Sequence, residues 1–168
     1  MTDQPRERVV QLNRGVERDD SQASVRGPQH EALQRWIGRW INRGHTINDD
    51  GSPGLTITTS DVYEWAPGGF FVVHSAYGRV GEFSGGGVEI IGYDEMSGDY
   101  TSHLFDSAGN VIVSRLVAHG DTWTYHGDTT RATVEFSDDN HVQTVVHERT
   151  DDGTTYTPSM NVTLIKVD

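Results

Sequence analysis

The 168-residue chain has no cysteine, which excludes disulfides, thiolate nucleophiles and cysteine-ligated zinc or iron–sulfur sites. No apolar run approaches the roughly 18 to 20 residues that cross a bilayer as a helix, and the opening MTDQPRERVV lacks the apolar stretch of a secretory signal. Both absences fit a cytoplasmic protein. Positive charge is scarce as well: 13 Lys and Arg stand against 25 Asp and Glu, a net charge of -12. A surface of that sign repels phosphate backbones and anionic lipid, so neither nucleic acid nor a membrane is expected as a partner. The eight histidines form no His-x-His or His-x-x-x-His pair, and His141 and His147 on one strand sit roughly 20 Å apart at strand rise. No metal and no cofactor are therefore expected, and nothing selects a single histidine such as His74 for haem. No Gly-x-Ser-x-Gly elbow is present, which argues against a serine hydrolase.

What is there reads as one domain with a leader. Residues 1–28 are polar, with five arginines balancing five acids, and have the composition of a segment that cannot offset its own ordering entropy. They are read as an arm that docks on its own barrel or on a neighbouring subunit, which leaves a homodimer open. Residues 29–168 form the folded domain. It begins with HEALQRWIGRW, where Ala32, Leu33, Trp36, Ile37 and Trp40 recur at helical spacing, predicting one short helix that plugs a barrel end.

Beyond residue 40, β-branched and aromatic runs alternate with Gly, Asp, Asn and Pro, and no second helical period follows. About ten strands are predicted, at 40–48, 55–66, 69–78, 87–94, 99–106, 110–119, 122–127, 130–137, 141–150 and 154–166. Most connections are hairpin-short, so sequence neighbours pair, and a meander of so many twisted strands buries its edges most simply by closing. The fold class is all-β: an antiparallel up-and-down barrel, with a two-sheet sandwich as the alternative. The glycine-rich stretch Gly81–Gly87 is read as a flexible flap at the barrel mouth, with Phe83 as a lid residue.

The short helix running into Trp36-x-Gly38-x-Trp40, then Gly92-Tyr93-Asp94 before Gly98-Asp99-Tyr100, then Phe105-Asp106-x-x-Gly109, resembles a bacterial family of domains of unknown function with lipocalin-like (calycin) barrels. The likeness spans about residues 30 to 167. It implies the fold and a ligand-sized interior; it implies no reaction and no catalytic residues.

Turn lengths set which side chains point inward, because side chains alternate along a strand. A two-residue turn at Gly120-Asp121 places Leu116 opposite Tyr125 and Ala118 opposite Trp123, and a three-residue turn at Ser107–Gly109 places Ser102 opposite Ser114. A turn at Asp151–Gly153 sets Glu148 across from Tyr156 and Thr144 across from Met160, with Glu148 inward and His147 outward. A turn centred on Pro67-Gly68 pairs Tyr63 with Val72 and Asp61 with His74. That last pairing brings a carboxylate and an imidazole together on an otherwise apolar face, where a carboxylate raises the histidine pKa and holds its tautomer.

The expected function is enclosure of a small apolar or aromatic molecule, with Tyr63, Trp65, Tyr93, Tyr100, Trp123, Tyr125, Glu148, Tyr156 and Met160 as candidate ligand contacts. The aromatic members also read as core packing. The alternative is a cofactor-free isomerase, cyclase or lyase in which His74 moves a proton and Asp61 orients it. A third reading, a dimerisation module built around the arm, needs no cavity.

Overall fold

The computed structural model describes residues 25–167, so most of the arm lies outside the described residues. A one-turn helix α1 (Pro28–Glu31) runs directly into a 3-10 turn (Ala32–Trp36). Pro28 fits the first helical position because its missing N–H would have no partner there, and Gly27 N–H donates to His30 Nδ1 at 3.1 Å. The predicted helix is thus shorter than its apolar spacing suggested. Gly38, at φ 138°, turns the chain into a strand, and Trp40 belongs to that strand.

Ten strands follow: β1 (Gly38–Ile47), β2 (Pro53–Trp65), β3 (Phe71–Val80), β4 (Phe83–Asp94), β5 (Asp99–Asp106), β6 (Val111–His119), β7 (Thr122–His126), β8 (Thr130–Phe136), β9 (Val142–Arg149) and β10 (Thr157–Val167). Each pairs antiparallel with the next, and β1 pairs with β10, closing the barrel. The up-and-down barrel is therefore the fold, and the sandwich alternative falls.

One end is shut. His30, Leu33 and Trp36 are buried under the barrel base, and Trp36 meets the edges of Phe136 and Trp123 at centroid distances of 4.9 and 5.7 Å. Trp40 Nε1 donates to the Trp36 carbonyl at 2.9 Å. Polar ties hold the plug to the turns around it: Arg35 bonds Asp121 between β6 and β7, and its carbonyl accepts from Asn140 between β8 and β9. Burial of such large rings supplies most of the stabilisation at this end, each worth a few kcal/mol.

The opposite end is open, and its β3–β4 hairpin is tighter than expected. Residues Gly81–Gly87 form no flap: Gly81-Glu82 is a two-residue turn, with Gly81 at φ 58°, and pairing resumes at once with Val80 opposite Phe83. The side chain of Phe83 is largely exposed at this rim.

Candidate functional site

Inside the barrel lies a cavity of about 730 Å³ that opens at the end away from the plug, a size in the range that holds a drug-sized molecule. Its room comes from small residues. Ala76 and Gly78 on β3, Gly85 on β4, Ser102 on β5, Ser114 on β6 and Ala132 on β8 occupy positions where larger side chains would fill the lumen. At Gly78 the strands approach so closely that an added Cβ would collide with the Thr58 carbonyl oxygen.

The chemistry concentrates on β2, β3 and β4. The β2–β3 hairpin is two residues wider than a turn on Pro67-Gly68 alone, because Gly68 and Gly69 both take left-handed conformations, at φ 92° and 73°. Trp65 therefore pairs with Val72, Tyr63 with His74 and Asp61 with Ala76. A change of two residues leaves the faces intact, so Asp61, Tyr63 and His74 share the inner side, with Asp61 diagonal to His74 instead of opposite it. His74 Nε2 lies 3.0 Å from Asp61 Oδ1, and its ring stacks on Tyr63 at 3.8 Å between centroids.

Its other nitrogen belongs to a residue that sequence reasoning missed. Glu89, opposite His74 on β4, approaches Nδ1 at 2.8 Å through Oε2. Glu89 Oε1 accepts from the Ser102 hydroxyl, and Asp61 Oδ2 from that of Thr59. Burial works against a charge on His74, but hydrogen bonds to Asp61 and Glu89, together with their negative charges, outweigh it and push its pKa up to about 9. At neutral pH the group is an imidazolium between two carboxylates. Asp61 and Glu89 line the cavity, while His74 sits behind them and Tyr63. Burial, reinforced by those two acids, raises the Tyr63 phenol well above its ordinary pKa, and burial with Glu89 does the same for Tyr125.

The other candidates divide. Tyr63, Tyr125 and Met160 line the cavity. Trp123 and Tyr100 pack in the closed base, where Tyr100 donates to the Gln29 carbonyl at 2.7 Å. Tyr93 lies against Tyr100 and His30 there too. Trp65 donates to Gln34 at 3.0 Å and lies under the Arg26 guanidinium.

Glu148 and Tyr156 require correction. The β9–β10 connection is longer than a turn at Asp151–Gly153, and the register shifts by one between Pro158 and Met160. A shift of one exchanges the faces of β9 relative to β10. Gln143, Val145 and His147 consequently face the lumen, while Glu148 points out and binds Arg131 at 2.6 Å; Arg131 also covers the Tyr156 ring. Met160 stays inside, opposite His147 instead of Thr144. Burial alone lowers His147 to about 4, so it is a neutral imidazole on the cavity wall. Among the described residues no group of three or more His, Cys, Asp or Glu is placed to hold a metal ion, and no helix is long and apolar enough to cross a membrane.

The chain belongs to the family described as protein of unknown function (DUF1579), which it matches over residues 26–164. No curated protein matches it in sequence. Among solved structures it is similar to Rv2717c from M. tuberculosis, with TM-score 0.60 and 13% identity over 84% of this chain and 99% of that one. It is also similar to the S-type phycobiliprotein lyase CPES from Guillardia theta, with TM-score 0.52 and 9% identity over 82% and 92% of the two chains. At these identities the likeness is one of fold, a calycin-like barrel.

Proposed function

We propose that this member of the DUF1579 family binds a small, largely apolar molecule inside its barrel. The observation that carries the reading is the cavity of about 730 Å³, blind at the plugged end, whose mostly apolar wall is interrupted by the Asp61–His74–Glu89 cluster. Two carboxylates around one imidazolium leave one net negative charge at the depth of the cluster, while Arg79 and Arg131 line the cavity nearer its open end, so an uncharged or cationic group is favoured beside the cluster itself.

A second reading is favoured by the same cluster. Asp61 and Glu89 face the guest while His74 holds a proton between them, so a carboxylate in the wall takes or returns a proton in a cofactor-free isomerase, cyclase or lyase. His74, its two nitrogens occupied, serves there as a positioning residue. The resemblance in fold to a protein named a lyase is compatible with this reading and with the first.

Titration with 1-aminoanthracene, a neutral fluorophore that brightens in apolar surroundings, tests the lumen. One saturable site per chain is expected, abolished by Ala76→Phe with little change in Tm, since Ala76 lines the cavity. Absence of saturable binding, or binding indifferent to Ala76→Phe, refutes enclosure. Native mass spectrometry of protein from its own host then separates the two readings. A molecule retained unchanged supports binding, and turnover that is lost in Asp61→Asn supports catalysis.

A further inference from the structure

A strand with one face in the core turns polar residues to water on the other, yet four adjacent strands of this barrel present apolar side chains outward. In one row Val88 on β4 pairs with Phe105 on β5, and Phe105 with Val111 on β6. In the next, Ile90 pairs with His103 and His103 with Val113. Phe71, whose ring lies over Gly92, and Tyr77 flank these rows on β3. All of these apolar side chains are exposed, from 39% for Ile90 to 67% for Tyr77. No Asp, Glu, Lys or Arg stands in the two rows, in a chain with 25 Asp and Glu. Charge returns at the margins, with Glu64 on β2 and the Asp99–Arg115 ion pair.

At these exposures the patch presents roughly 600 Å² of side chain to water, at the top of what a monomeric protein leaves uncovered. Two such faces set together withdraw roughly 1,200 Å², which reaches the range of specific protein interfaces. The charge pattern says which partner fits. A cationic protein is drawn to the acidic excess elsewhere on the chain, and an anionic membrane needs Lys or Arg within the patch. A second copy carries the same net charge of -12 and is repelled over the rest of the surface. It approaches at least cost through the face that has no acid.

We propose that the outer face of β3–β6 is a homodimer interface, in which a second copy of this chain covers Ile90, Phe105 and Val113 with its own copy of the same face. The inference goes beyond the lumen reading and does not depend on it, because these side chains point away from the cavity.

Sedimentation equilibrium of the full chain at about 1 to 100 μM is expected to give twice the chain mass of 18.6 kDa. Ile90→Glu and Val113→Glu each place a carboxylate within the face, and each is expected to raise the dimer dissociation constant at least about hundredfold while the circular dichroism of the barrel is retained. Two positions guard against one variant that fails to fold. Thr144→Glu, exposed on the outer side of β9, is the control and is expected to leave the dimer intact. A dimer that survives both substitutions, or one that Thr144→Glu disrupts equally, overturns the inference. So does a wild type that stays at 18.6 kDa over the whole range, in which case the occupant of the face is residues 1–24 or a different protein.

Discussion

Raising the pH from 6.5 to 9 should destabilise the protein through one residue. His74 is enclosed by Asp61 and Glu89, with Tyr63 stacked on its face, and its pKa is raised from 6.5 to about 9. Between those values the native state holds a proton that the unfolded chain has released, so stability falls as pH rises. The contribution is fully present below pH 6.5 and is lost as pH passes through 9. At about 1.4 kcal/mol per unit, a shift of that size corresponds to about 3 kcal/mol. Urea unfolding measured at intervals across this range gives the slope. His74→Gln removes it and is itself strongly destabilised near pH 6.5, by roughly 3 to 5 kcal/mol, because two buried carboxylates lose their counter-charge. The variant and wild-type curves should converge above pH 9. An imidazole NMR signal assigned to His74 that titrates near 6.5, or stability that rises over this interval in the wild type and not in the variant, would refute the reasoning.

Other outcomes follow from the same structure. His147, held neutral by burial with a pKa of about 4, contributes stability above pH 6.5 that is lost as pH falls through 4. The loss should be on the order of 2 kcal/mol, since the ring borders an open cavity, and it should vanish in His147→Gln when unfolding is followed from pH 7 to 4. Trp36→Ala removes the centre of the plug and should cost about 3 to 5 kcal/mol, read as a drop in Tm of roughly 10 °C by circular dichroism. Glu148→Gln, on the outer face with Arg131, should change stability by less than about 1 kcal/mol in urea and leave 1-aminoanthracene binding unaltered.

The strands and their closure were legible because each run of Val, Tyr and Trp ends in turn chemistry. Gly120-Asp121 and Ser107–Gly109 are turns of the lengths read from their residues, and the pairs they imply, Leu116 with Tyr125 and Ser102 with Ser114, are present. Asp61 and His74 were legible as companions only because the extra width of their hairpin is an even number of residues. Glu89 was within reach. Reading Gly81-Glu82 as a two-residue turn sets Val80 opposite Phe83 and hence His74 opposite Glu89, and a lone acid in Val88-Glu89-Ile90-Ile91 marks the position. Taking the glycines for a flap concealed it. The face of β9 was not legible. It depends on the register shift before Met160 and on Asn140, which takes a left-handed conformation at φ 58° in the β8–β9 turn, and neither carries a glycine to announce it.

Closing the barrel with tryptophan at one end and leaving the other to strand connections separates two tasks. The aromatic base bears on whether the domain survives, and any molecule within has one route out, past Arg79, Phe83 and Ser107. On the proposed reading, substitutions at the rim change residence time and guest preference while the melting behaviour set by the far end hardly moves.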